Sequence, residues 1–250
     1  MVISNSVPSW VQTIRHRYST DLLNCRIISA EHRKNSGGAE HEYILLTMKC
    51  YCNSDNFTRY IRIDRSFRHN PSTVLRHYKT LLRGNALPAD DTIIIDPTPF
   101  PTGSYSLYKV EFALAPNILD LAALLDAVSS LAPNYDLYRF MCYWHSRILF
   151  ESLVQAFQGT VEAGEKPEQR GRIGWSDFSI SVVDQNGRFR FNRLTRMRQH
   201  RLIYPSIPSN VHPFYMPSVS AVVARYIFVH REMMREAGKQ RVRLLSWSAR

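Results

Sequence analysis

HEYILLTMKCYCNSDNFTRYIRIDR, residues 41–65, decides the fold. From His41 to about Tyr51 the segment is rich in apolar residues and reads as a strand. Asn53-Ser54-Asp55-Asn56 is a cluster of turn formers, and Phe57 to Arg65 then alternates apolar and polar residues at period two. Such a pattern predicts an antiparallel hairpin. A turn centred near Ser54 pairs positions whose numbers sum to about 108, because register in a hairpin follows from the turn. His41 then lies opposite roughly Ser66 or Phe67, with Asp64 close by.

Outward from this hairpin, NCRIISAEHR (24–33) reads as a preceding strand, and TIIID (92–96) and SLYKVEFAL (106–114) as two later ones. Residues 66–90 are polar and broken by Pro71, Gly84 and Pro88, with a short helix expected around VLRHYKTLL. Helical periodicity then takes over. Asn117 can cap ILDLAALLDAVSSL, whose Ile118, Leu121, Leu125 and Val128 form one apolar stripe. After a break at Ala132-Pro133-Asn134, Ile148, Leu149, Leu153 and Phe157 recur at helical spacing. Strands first and helices after give an α+β chain: an antiparallel meander followed by two helices, residues 24–158.

Residues 1–23 read as a lead-in with a short helix starting near Pro8. Its two arginines and lack of acids before Asp21 are a faint organelle-transit signal, and it has no secretory signal pattern. The polar, glycine-rich stretch from Gly159 to Trp175 marks a second boundary, so 159–250 is expected as a separate basic C-terminal extension. It would hold a hairpin turning at Asn186-Gly187, an extended proline-rich run over 204–217, and a helix from its cap Ser218 to a stop at Gly238. Val222, Tyr226, Met233 and Ala237 share one side of that helix. The last dozen residues read as loose.

Apolar residues make up 44 % of the 250-residue chain and aromatics 12 %, enough for a packed core. No apolar run reaches the roughly 18 residues of a membrane span. The net charge of +11 lies wholly in the C-terminal third, where 16 basic residues face 5 acidic ones. Such a field attracts nucleic acid, anionic lipid or an acidic partner. Arginine predominates there, which suits bidentate phosphate contacts. Arg188, Arg190, Arg193, Arg196, Arg198 and Arg201, interleaved with aromatics, are the candidate RNA- or partner-binding residues.

The four cysteines, Cys25, Cys50, Cys52 and Cys142, are too sparse and irregular for a disulfide scaffold. They read as free thiols in a reducing compartment, and a cytoplasmic location is expected. Cys50 and Cys52 share a strand face, but a zinc site would need two further ligands, with only His69 and His77 nearby. No metal and no cofactor is expected.

YDLYRFMCYWHSRILFESL (135–153) places Cys142 at the head of a helix among aromatics. In the first helical turn, unpaired N–H groups would stabilise a thiolate and could hydrogen-bond an oxyanion. A nucleophile of this kind needs a base within hydrogen-bond reach and a third group to orient that base. His145 lies on the same helix and points back over its own preceding turn, so it serves poorly. His41, opening a strand after Ser36-Gly37-Gly38-Ala39, is better placed, with Asp64 or Ser66 to orient it.

A histidine opening a strand, a polar residue on the next strand and a cysteine beginning a later helix resemble the circularly permuted papain-like order. AEHEYILL is similar to the histidine-led strand of the H-box/NC-box proteins. That group takes in lecithin retinol acyltransferase and its phospholipase/acyltransferase relatives, some viral proteins and the permuted deSUMOylating isopeptidases. YDLYRFMCYWHSRILFESL is similar to their Y-x-L-x-x-N-C-x-x-F-x-x-x-L box, with Met141 for the asparagine and His145 for the aromatic. The resemblance covers roughly residues 24–158. It implies Cys142 as nucleophile, His41 as base and Asp64 or Ser66 in the third role, acting on a protein or lipid acyl or amide bond through a thioester. The phrase GGAEHE is also similar to uncharacterised fungal proteins, which implies no activity. The competing expectation is a non-enzymatic scaffold, for example a virion or ribonucleoprotein component, gripping RNA or an acidic subunit through residues 166–250.

Overall fold

The computed structural model describes residues 2–16, 23–36, 41–51, 56–67, 87–100, 103–135, 142–175, 178–181 and 217–248. In chain order the elements are β1 (Ile3–Ser6), α1 (Val7–His16), β2 (Cys25–Asn35), β3 (Glu42–Tyr51), β4 (Asn56–Phe67), β5 (Leu87–Asp96) and β6 (Ser104–Phe112). There follow α2 (Ile118–Leu131), β7 (Asn134–Tyr135), α3 (Cys142–Phe157), β8 (Gly159–Ala163), β9 (Arg172–Trp175), β10 (Phe178–Ser181) and α4 (Val219–Ser248). The fold is α+β. A fully antiparallel sheet runs in the order β1-β5-β4-β3-β2-β6-β8, with β7 appended to β5 and β9–β10 as a separate ribbon.

In the opening hairpin Ile44 faces Ile63 and Cys50 faces Phe57, so paired positions sum to 107, one less than expected. One face of the hairpin carries Ile44, Leu46, Met48, Ile61 and Ile63, all buried. Period two puts every second side chain on that face, and burying each such aliphatic is worth about 1.5–3 kcal/mol. The helices cover this face. α2 starts with a reciprocal cap: Asn117 Oδ1 accepts from the N–H groups of Leu119 (2.8 Å) and Asp120 (3.0 Å), while Asp120 Oδ2 accepts from the Asn117 N–H (2.9 Å).

The expected single stripe on α2 is too narrow. Leu119, Ala122, Ala123, Leu124 and Ala127 are buried as well, because α4 packs on α2 from the side away from the sheet. A helix that is apolar all round is a buried one. Three layers result: the sheet, then α1, α2 and α3, then α4.

The expected divisions at 23/24 and 158/159 fall inside this packing. β1 pairs with β5, β8 pairs with β6, and Val7 and Trp10 of α1 and Val222, Val229 and Met233 of α4 join the same apolar core. The turn into β8 needs glycine: a Cβ on Gly159 would come within 2.1 Å of Val110 Cγ2. The helix expected around VLRHYKTLL and the hairpin at Asn186-Gly187 lie outside the described residues.

Two expectations are corrected. Cys25 and Cys50 are not free thiols: they face each other across β2 and β3 with Cα atoms 4.0 Å apart, and their sulfurs are bonded. The register that pairs these strands sets the contact, and with it goes the argument for a reducing compartment that rested on free thiols. Gly238 does not stop α4, which continues to Ser248, since Lys, Gln, Arg and Leu after it are strong helix formers. A Cβ at Gly238 would meet nothing within 4 Å. Gly238→Ala is therefore expected to stabilise the protein by about 1 kcal/mol, measured as a rise in the denaturant midpoint with an unchanged slope.

Candidate functional site

The end of the sheet where β3 begins and β4 finishes carries the site. Asp64 sits on β4 two residues after Arg62, and the two share the strand face opposite Ile61, Ile63 and Arg65. His41, just before β3, has its carbonyl oxygen accepting from the Asn35 N–H at 3.0 Å, which ties it to β2. Its ring Nε2 lies 2.7 Å from Asp64 Oδ1. Asp64 also accepts from Arg62, through Nε to Oδ2 at 2.7 Å and Nη2 to Oδ1 at 3.2 Å, and the Arg62 guanidinium lies 4.0 Å from the centre of the Tyr43 ring. Tyr43 in turn donates its hydroxyl to Ser104 Oγ at 2.7 Å. The guanidinium thus braces both carboxylate oxygens, and Oδ1 is shared with the imidazole. Ser66 does not compete for that place: its hydroxyl reaches the Asp90 carbonyl at 3.4 Å.

Cys142 is the first residue of α3. It lies near enough to the His41 ring to raise the proton affinity of the imidazole, so the three residues singled out in the sequence are neighbours. Burial, the largest influence on His41, lowers its pKa. Hydrogen bonds to Asp64 and Cys142 and the charges of both outweigh burial, and the pKa is pushed up from 6.5 to about 10. Asp64 is held below the ordinary carboxylate range: burial raises its pKa, but the bonds from His41 and Arg62 more than offset this. The His41 ring keeps 25 % of its surface exposed and Asp64 13 %, while Cys142 keeps only 7 %.

Behind the site runs a row of buried charges that the sequence reading missed. Arg65, next to Asp64, makes a two-pronged ion pair with Asp91 (Nε–Oδ1 2.6 Å, Nη2–Oδ2 2.7 Å), and Ser129 of α2 donates to the same carboxylate at 2.7 Å. Glu42, next to His41, is fully buried; its Oε2 lies 2.8 Å from His32 Nε2, and its Oε1 accepts from the Gly171 N–H at 2.7 Å. The neighbours of both site residues are therefore pinned from the opposite face of the sheet. The only sequence signal was strand parity: Glu42 and Arg65 fall on the apolar face, where a charge must find a partner.

His145 is fully buried one turn along α3 from Cys142, and neither ring nitrogen has a hydrogen-bond partner. Burial lowers its pKa to about 4, with the nearby charges of Asp91 and Arg65 acting in opposite directions. It is a neutral core side chain. Arg188, Arg190, Arg193, Arg196, Arg198 and Arg201, and also Cys52, His69 and His77, lie outside the described residues. Among the described residues no three His, Cys, Asp or Glu side chains cluster as metal ligands, and no helix is long and apolar enough to cross a membrane.

No protein-family model matches the sequence, and neither a curated protein nor a solved structure is significantly similar to it.

Proposed function

We propose that the chain is a thiol hydrolase or acyltransferase of permuted papain-like arrangement, with Cys142 as nucleophile, His41 as base and Asp64 as the group that orients the ring. The observation that supports this reading is the His41 imidazole bonded to the Asp64 carboxylate at 2.7 Å, with Cys142 near enough to act on its proton affinity. With Nε2 engaged by Asp64, Nδ1 is the nitrogen left for the thiol. In the scheme, the proton shared by Cys142 and His41 rests on the ring, and the sulfur adds to an acyl carbon as the thiolate. The oxyanion accepts from N–H groups of the first turn of α3, which have no partner within the helix. Collapse breaks the carbon–leaving-group bond, and His41 gives its proton to the departing amine or alcohol. Water, or an acceptor hydroxyl or amine, then attacks the thioester. His41 takes up its proton, and the sulfur departs. The scheme invokes no cofactor.

The alternative reading is a catalytically silent scaffold acting through its basic C-terminal third. It is favoured by the slight exposure of Cys142 and by Met141 in place of the box asparagine. Alkylation of the non-reduced protein with iodoacetamide at pH 6, followed by peptide mapping, separates the two. Rapid carboxamidomethylation of Cys142, slowed at least tenfold in His41→Ala, supports the enzyme. A Cys142 that stays unlabelled, or labels equally fast without His41, overturns it.

A further inference from the structure

α4 carries two apolar faces, and among the described residues only one of them is packed. Val222, Val229, Met233 and Ala237 are buried on the packed side, and Tyr226 and His230 both reach Asp120 of α2 (3.0 and 3.2 Å). On the opposite side Ile227 is 44 % exposed, Phe228 51 % and Met234 43 %. Eight large apolar residues are exposed among the described ones, and three of them lie within these eight positions, so they form a patch rather than a scatter.

At 3.6 residues per turn, Ile227, Phe228, Arg231, Met234 and Arg235 fall within one arc of about 120°. Arg231 and Arg235 are exposed on it; Glu232 and Glu236 fall outside the arc, and Glu232, beside its edge, lies 3.7 Å from Arg235. Because α4 is the outermost layer of the described residues, this face stands on them as a convex ridge.

We infer that the outer face of α4 docks the protein, lying flat, onto an anionic lipid surface. A ridge of exposed aliphatic, aromatic and thioether side chains sinks into the boundary between headgroups and acyl chains, and arginines on the same arc meet the lipid phosphates. The charge complementarity favours this occupant over the others. Arg231 and Arg235 would repel their own copies across a symmetric contact. RNA would leave Ile227 and Met234 without a function. A convex single-helix ridge also buries little area against another protein. The inference does not rest on the chemistry at Cys142.

The test is co-sedimentation of the full chain with vesicles of phosphatidylcholine alone and of phosphatidylcholine mixed with phosphatidylserine. Binding to the mixed vesicles only is expected. It should weaken about fivefold per arginine in Arg231→Gln and Arg235→Gln, and be lost in the Ile227→Gln/Phe228→Gln variant, whose circular dichroism should match that of the parent. Four results would overturn the inference: no retention on mixed vesicles, equal retention on neutral ones, retention indifferent to these four residues, or substitutions that instead weaken binding to an RNA oligomer or to a second copy.

Discussion

Replacing Asp91 with alanine is expected to cost the fold about 3–5 kcal/mol, because it strands the buried Arg65 guanidinium without its counter-charge. Arg65 is fully buried, and among the described residues its two-pronged contact with Asp91 is its one ion pair and Nη1 has no hydrogen-bond partner. The surrounding Trp144 ring, 5.6 Å from the guanidinium, cannot replace a carboxylate. Urea unfolding should show a large drop in midpoint at nearly constant slope. The double variant Arg65→Leu/Asp91→Leu should recover most of the loss, since apolar residues of similar volume often substitute for a buried pair at little cost. If Asp91→Ala alone left the midpoint unchanged, the pair would not hold the end of β4. Acid should reproduce part of the effect. Asp91 is held below its ordinary range, so its contribution is present above the unfolded carboxylate pKa and is lost as pH falls. His145 adds to the acid side: with its folded pKa near 4, the unfolded chain binds the extra proton first, and stability declines as pH drops below about 6.5.

The second large effect concerns the proton on His41. Asp64→Asn keeps the shape of the side chain but removes the charge that holds the imidazolium, so the His41 titration midpoint should fall by roughly 1–3 pH units. The sign follows from the cause: hydrogen bonding and charge from Asp64 both raise the pKa toward 10. In the parent the stabilisation from this proton is complete below about 6.5 and disappears as pH rises through about 10. In the variant the loss begins at lower pH. The ring C–H resonances of His41 followed by NMR report the midpoint directly. An unmoved midpoint would mean that the carboxylate orients the ring without charging it.

His41 and Asp64 were legible because strand pairing is arithmetic. A turn at Asn53–Asn56 and period-two alternation put them within reach whatever the rest of the molecule does. The same arithmetic on β2 and β3 misses the Cys25–Cys50 pair: pairs next to the turn, such as Lys34 with Glu42, sum to 76 and would set Cys25 opposite Tyr51, and only the irregularity between Ile27 and Ser29 shifts it onto Cys50. Arg62 was equally readable, since it stands two residues from Asp64 on one strand face. Asp91 and Ser129 were not: they come from β5 and α2, and nothing local ties either to Arg65.

The sequence by itself determined the order of β2 to β6 and of α2, α3 and α4, the hairpin register to within one residue, the Asn117 and Ser218 caps, and the residue types a thiol mechanism needs. These follow from local sterics, side-chain period and backbone hydrogen bonding, which act over a few residues. Only the tertiary structure decided that Cys142 meets His41, that α4 lies over α2 as a third layer, and that charges line the buried side of the site. Those depend on which surfaces exclude water together, a property of contacts between residues far apart in the chain.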